Sequence, residues 1–366
     1  MRISDRYIGK QVLLGTVYAV LVLGVVLVLG NLFKKIQPLL VDQQAPLELV
    51  LRFVISVLPL SLMYTVPWGF LSAVLLVFGR LSSEQEITGF RVGGISLYRL
   101  AAPVFVIGAL LSLLSLWLNV NVVPTSKETS LALLYQQASK DPDSLLKPGV
   151  VQGDFGDDGE SLKLLIEGRQ DDWVEGFHLY QLPEEPGGGH SYVHADRASL
   201  SVDDVKNQLR IKLEDAYFET REPGKPVQMA FAGLAEPLLI DLKDPKSRKL
   251  RASAMTNEQI RHVVATNDTI PEAKKVKMRS EITKRYSFSM ACLAFAFIAV
   301  PLGLGSRRRE SSGGLILSLV IGTGYFLFTI IAEQFETDSA ATAILWAPNI
   351  ACILIGLFLF RRARFK

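Results

Sequence analysis

The chain has 366 residues, a net charge of +3 and a hydrophobic content of 49%, and its mean hydropathy is +0.29. A soluble chain of this length does not average positive hydropathy, and a charge this near neutral gives no bulk attraction to nucleic acid. Composition thus argues against an ordinary soluble enzyme, and bulk charge makes no case for a nucleic-acid binder.

The first predicted element is a charge-free run from Val12 to Phe33. It is too long for the apolar core of a cleavable leader, and "NLFKKIQP" follows it instead of a small-x-small site, so it reads as a retained first span. Two more runs follow, Phe53 to Gly79 and Leu100 to Ser126. Three others close the chain: Tyr286 to Ser306, Ser311 to Ala332 and Ser339 to Phe360. Each is at or above the roughly 20 residues that a helix needs to cross the hydrocarbon. A charge at the bilayer centre costs at least about 2.5 kcal/mol, which is why runs this clean mark spans and not core helices. The fold class expected is an α-helical membrane protein with six transmembrane helices, three plus three, around an inserted all-β domain.

Basic residues alternate between the loops. Arg2, Arg6 and Lys10, then Arg80, Arg91 and Arg99, then Arg307 to Arg309 and the tail "RRARFK" fall on one side, against Lys34 and Lys35 on the other. The positive-inside rule puts both termini in the cytoplasm and the insertion outside it, in a periplasm if the cell is Gram-negative. Both cysteines, Cys292 and Cys352, fall inside spans, so the exported region has no disulfide frame and depends on its own core.

Span two contains Pro59 and Pro67 in "VLPLSLMYTVPWGF". Prolines free backbone carbonyls and kink a span, either for packing or to open a seam. Lys34 and Lys35 at the outer end of span one, and Arg52 at the outer start of span two, suit either snorkelling anchors or partners for lipid phosphates. Between spans two and three lies "RLSSEQEITGFRVGGISLYRL", residues 80 to 100. It reads as a short cytoplasmic helix over about 81–92. Ser82 or Ser83 can cap it, Glu84 and Glu86 suit its dipole, and Gly93-Gly94 ends it.

The insertion, residues 125–280, opens with a predicted helix, "SKETSLALLYQQASKDPDSLL". Short strands follow: "SLKLLIEG", "FHLYQL", "SYVHADRASLSV" and "QLRIKLEDAYFE". In the last of these Leu209, Ile211 and Leu213 alternate with Arg210, Lys212 and Glu214, the period of a half-buried strand. "GDDGE", "PEEPGGGH" and "REPGKP" are turns. The pattern predicts an antiparallel sandwich or open barrel of jellyroll type, then a charged helical stalk returning to spans four to six, residues 281–366.

Chemistry-bearing motifs are missing. There is no G-x-x-x-x-G-K-[ST], so the chain cannot hold nucleotide by a P-loop. There is no H-E-x-x-H, C-x-x-C or G-x-S-x-G. His190 and His194 read as ordinary surface histidines, and no metal is expected. No span has a carboxylate or histidine at its centre, which argues against a proton-driven pump and an intramembrane protease.

The stretch Pro67 to Ser96, with "GRLSSEQEITGFRVGGIS" at its heart, resembles the LptF/LptG permeases of the lipopolysaccharide exporter. "DRYIGK" at the N-terminus, "AVPLGLGSRRR" after span four, and "LKLLIEGRQDDWVEGFHLYQL" and "HADRASLSVDD" in the β region are similar to the same family. The resemblance covers nearly the whole chain, with residues 1–124 as spans one to three.

It implies a non-catalytic permease subunit of an ABC exporter, in the bacterial inner membrane, that extracts lipopolysaccharide and passes it toward the outer membrane. Its implied partners are a paralogous LptF/LptG subunit in a heterodimer, an LptB ATPase dimer, and LptC with an LptA-like periplasmic bridge. The chain itself would bind no cofactor, ATP being used by the partner. Residues 81–92 resemble the family's coupling helix, which implies an ATPase contact through Glu86, then Glu84, with Arg91 beside them. Lys34, Lys35 and Arg52 would meet lipid phosphates. Two other readings stay open: an ABC permease for another lipid or lipoprotein, and a non-transporting sensor or scaffold. The second would need a cytoplasmic signalling module, for which the cytoplasmic parts are short.

Overall fold

The computed structural model describes residues 3–41, 47–140, 149, 151–153, 160–170, 173–183, 190–203, 208–221, 224–234, 238–241, 252–267, 270–305, 312–332, 334–335 and 337–364. Two units separate. One holds the helices from Met1–Lys34, Leu47–Ser130 and Leu250–Lys366, and the other holds Lys35–Pro46 and Leu131–Lys249.

The helical unit begins with α1 (Ile3–Val41), α2 (Leu47–Ser83), the short α3 (Glu86–Val92) and α4 (Leu97–Trp117). A single π-type turn, Leu118–Val122, carries α4 into α5 (Val123–Lys140). After the β unit come a 3₁₀ turn (Ala252–Ala254), α6 (Asn257–Thr266), α7 (Glu272–Ser289), α8 (Ala291–Gly305), α9 (Ser312–Ala332) and α10 (Asp338–Arg364). Among the described residues five helical stretches are long and apolar enough to cross a membrane, and α7 with α8 make a sixth if the pair, bent by 40°, is one span. The six charge-free runs thus correspond to five such stretches and one bent pair. The fourth run, Tyr286 to Ser306, is interrupted at Met290, the residue between α7 and α8.

α2 is the central helix. Phe70, Leu71, Val74, Leu75, Phe78 and Leu81 are buried in one core with Phe295, Ala296, Ala299 and Val300 of α8. α2 runs unbroken through Pro59 and Pro67. α1 and α9 do the reverse, leaving Leu14, Val17, Leu21, Leu315, Ile316 and Leu319 exposed. Apolar faces this large are stable only against lipid or another subunit.

The second unit is a seven-stranded antiparallel sheet in the order β1 (Gln152–Gly153), β2 (Glu160–Gln170), β3 (Trp173–Pro183), β4 (His190–Asp203), β5 (Gln208–Arg221), β6 (Gln228–Leu234), with β7 (Leu238–Asp241) also on β5. The strands predicted from alternation are β2 to β5. Ile211 and Leu213 are buried and Lys212 is exposed, as the period of two requires. The inner face gathers Leu164, Ile166, Phe177, Leu179, Ala195 and Ala216 into a core without disulfides. The predicted turns "GDDGE" and "PEEPGGGH" lie largely outside the described residues.

The other face carries a cross-strand ladder. Register sets Tyr180 opposite Tyr192, and His178 opposite His194 opposite Tyr217 opposite Phe231. The imidazoles of His178 and His194 stack at 4.5 Å. His178 Nδ1 lies 2.8 Å from the Tyr192 hydroxyl. Burial, and then a hydrogen bond with Tyr180, push the Tyr192 phenol up to about 12. Unfolded, a tyrosine ionises near pH 10. The native state thus resists an ionisation that the unfolded chain undergoes, so the contribution is complete below pH ~10 and is lost as pH rises through about 12. Hydrogen exchange of β3 to β5 is expected to accelerate over that window, and less steeply in Tyr192→Phe. Equal acceleration in both would show that Tyr192 does not govern it.

Candidate functional site

The polar hinge between spans two and three is built on the last turns of α2. Phe78 and Leu81 are fully buried there, and Ser82 donates its hydroxyl to the Leu304 carbonyl of α8 at 3.0 Å. That anchorage keeps the chain helical to Ser83. The reversal comes at Glu84 and Gln85, where Gln85 takes a left-handed φ of 60° and its N–H bonds the Ser82 carbonyl at 3.2 Å. Neither serine caps α3, contrary to the expectation from sequence. Ser83 bonds back to the Arg80 carbonyl at 2.9 Å, and α3 starts three residues beyond, at Glu86, with no side-chain cap.

α3 has seven residues and is held by one buried side chain, Ile87, in the core with Ile8, Leu81 and Leu100. Phe90 and Ile95 pack partly against that core. The glycine pair does end the helix. Gly94 adopts φ 79°, its N–H bonds Arg91, and the Ile95 N–H bonds the Phe90 carbonyl at 3.0 Å. A left-handed residue that closes 5→2 and 6→1 bonds is a Schellman-type stop, which glycine makes without steric cost.

The acids sit differently from each other. Glu86 is half-buried and accepts a hydrogen bond from the Tyr7 hydroxyl of α1 at 3.3 Å. Glu84 is exposed, 3.8 Å from Arg80 Nε, while Arg80 also donates to Gln11 at 2.8 Å. The outward surface of α3 is Thr88, Gly89, Arg91 and Val92. The sequence pointed to the two acids but gave no sign of Tyr7 and Gln11, which tie the start of α1 to this turn. Only the fold brings residues 79 positions apart together.

The remaining sequence candidates lie elsewhere. Arg52 donates to Glu48 one helical turn away at 2.6 Å, both side chains exposed. Lys34 and Lys35 lie within α1, but their side chains are outside the described residues, as are Arg307 to Arg309. Pro59 and Pro67 are interior to α2 and not beside the polar hinge. Among the described residues no three His, Cys, Asp or Glu side chains form a group able to hold a metal ion.

The helical unit thus carries a small polar platform, α3, joined to its apolar bundle by Ile87. No curated protein matches the chain. The family described as lipopolysaccharide export system permease LptF/LptG matches residues 6–362, and the chain belongs to that family.

Proposed function

We propose that the chain is the permease half of an ABC exporter, moving lipopolysaccharide out of the inner membrane under the power of a separate ATPase. Membership of a lipopolysaccharide export permease family carries the reading at its coarser level. The finer assignment rests on α3. It is a short helix docked by a single buried isoleucine, with a charged and polar outer surface and both ends tied to spans. Such an element transmits a push without unfolding.

In this scheme both termini and α3 face the cytoplasm, and an LptB-type ATPase dimer docks on Glu84, Glu86 and Arg91. A paralogous LptF/LptG subunit covers the exposed apolar faces of α1 and α9. Lipid A chains enter between the two subunits, with Lys34, Lys35 and Arg52 at the outer rim to pair with phosphates. The lipid then passes to the β unit and on to LptC and the periplasmic bridge. Exposed Met229, Phe231 and Leu234 on β6 give that unit an apolar rim.

Charge-assisted hydrogen bonds contribute about 1.5–3 kcal/mol each, so losing one at the docking surface weakens binding by about tenfold or more. Glu86→Ala is therefore expected to reduce the ATPase recovered with the purified chain by about that factor, and lipopolysaccharide release with it. Unchanged recovery and unchanged release would refute the coupling assignment. Loss of release with full recovery would move the role of Glu86 from docking to the Tyr7 contact.

A further inference from the structure

Two of the spans are irregular, their irregularities touch one another, and α10 with its internal proline packs against them. α4 passes into the π-type turn Leu118–Val122. The α7–α8 span breaks at Met290. α10 carries the buried Pro348 in mid-helix. Asn119 of the π-type turn donates to Ser289 Oγ at 2.9 Å, and Ser289 donates to the Arg285 carbonyl at 2.6 Å. The Ser287 carbonyl accepts from Tyr325 of α9 at 3.2 Å and from Asn349 of α10 at 2.9 Å. Ser287 Oγ donates to the Leu345 carbonyl at 2.5 Å, three residues before Pro348. The Leu293 N–H, just past the break, bonds Ser112 Oγ of α4 at 3.0 Å.

Irregularities of this kind have identifiable uses. π-type turns inside α-helices are frequent at functional sites, and sharp bends follow prolines or side chains inserted into the backbone ladder. Here side-chain bonds from α4, α9 and α10 converge on the break. Side-chain bonds can be exchanged without unwinding a helix. One group in the belt is also unsatisfied. Asn119 is wholly buried, and among the described residues its Oδ1 has no hydrogen-bond partner. A buried acceptor left unpaired is costly, so this arrangement carries a penalty that another can relieve.

We propose that Asn119, Ser287, Ser289, Tyr325 and Asn349 form a hinge belt about which α4, α7–α8 and α10 change their bend together, between the arrangement seen here and one that pairs Asn119 Oδ1. Span segments on either side of the belt move as rigid pieces. The belt stands on these helix contacts and not on what the chain transports.

Spin labels on exposed Val106 of α4 and Glu128 of α5 bracket the π-type turn, while labels on Leu315 and Ile330 lie on the unbroken α9. Cys292 and Cys352 are buried and escape labelling. In the full chain in lipid nanodiscs, pulsed spin-resonance distances are expected to show two populations for Val106–Glu128 and one for Leu315–Ile330. Asn119→Leu removes the unpaired acceptor and is expected to change the population ratio by about tenfold or more. Ser289→Ala removes the donor's partner and reads the same contact if Asn119→Leu does not fold. A single Val106–Glu128 distance that stays single in both variants overturns the proposal, and so do two populations whose ratio neither variant alters.

Discussion

Gly356→Val is expected to leave almost no folded protein, while Gly324→Ala is expected to be accepted. Gly356 is buried where α10 crosses α8. A Cβ built there would stand 2.5 Å from the carbonyl carbon and 2.8 Å from Cβ of Phe297. The first of these is backbone, so no rotamer change relieves the clash, and the two helices must part. Phe297 itself packs on Phe105 at a centroid distance of 4.7 Å, and Phe105 on Phe360 at 6.1 Å, so separating α8 from α10 disturbs α4 as well. Overpacking a well-filled contact costs about 1–3 kcal/mol, and more where backbone must move. In a bilayer this contact has no hydrophobic drive to fall back on, since lipid tails are as apolar as the helix they would cover.

Gly324 has nothing within 4 Å of a built Cβ. In a helix interior alanine is favoured over glycine by about 0.8–1.0 kcal/mol. Thermal unfolding in detergent separates the two outcomes. A Gly356→Val protein that melts with the wild type would mean that α8 and α10 are not in close contact at this point.

These two glycines look alike in the sequence, and the difference between them shows which features of the fold were legible there. Spans and strands are written locally, as runs free of charge or as alternation, because lipid and sheet act on each segment separately. The stop at Gly93-Gly94 was legible for the same reason: a left-handed residue calls for glycine wherever it falls. The start of α3 was not. Ser82 looks like a cap, but the Leu304 carbonyl claims its hydroxyl from 222 residues away. The reversal then falls on Gln85, a residue with no turn preference of note.

The break at Met290 has no glycine or proline in place to announce it. Its partners come from three other helices, Ser112 and Asn119 from the α4 span, Tyr325 from α9 and Asn349 from α10. Among the histidines, His190 and His194 read from the sequence as surface residues, with no pairing between strands. The register of β3 against β4 sets His178 on His194, a pairing fixed by tertiary structure alone.

Arg285→Met is expected to have the largest effect of any single side-chain truncation in the helical unit. Arg285 is 2% exposed near the end of α7. Its guanidinium gathers the chain that re-enters the bundle. Nη1 donates to Asn257 Oδ1 at 2.7 Å, and Nη2 donates to the carbonyls of Met255 at 2.8 Å, Ala252 at 3.2 Å and Ser253 at 3.4 Å. Glu281, one turn back on α7, supplies an opposite charge 3.9 Å from Nε. The 3₁₀ turn Ala252–Ala254 and the start of α6 are thus fixed to α7 largely by one side chain. Thr256 caps α6 with a capping box of its own, so α6 survives the substitution as a helix but loses its place.

Truncation to Met keeps most of the volume and removes every donor. Three carbonyls, the Asn257 amide oxygen and Glu281 are left behind. Breaking a buried charged contact from one side costs about 3–5 kcal/mol, far more than an exposed pair. Arg285→Lys is expected to recover less than half of that. An ammonium is a point donor and cannot span four acceptors as the planar guanidinium does. The readouts are a fall in melting temperature and new proteolytic cleavage within residues 252–267. A Lys variant as stable as the wild type would reduce the site to a charge contact with Glu281. The connection also bears on the belt below it. The Arg285 carbonyl accepts the Ser289 hydroxyl, so the residue that anchors the re-entering chain is bonded to the break itself. Loosening Arg285 is therefore expected to broaden the Val106–Glu128 distance as well as lower the melting point, whereas Gly356→Val, which meets α8 at Phe297, acts through packing alone.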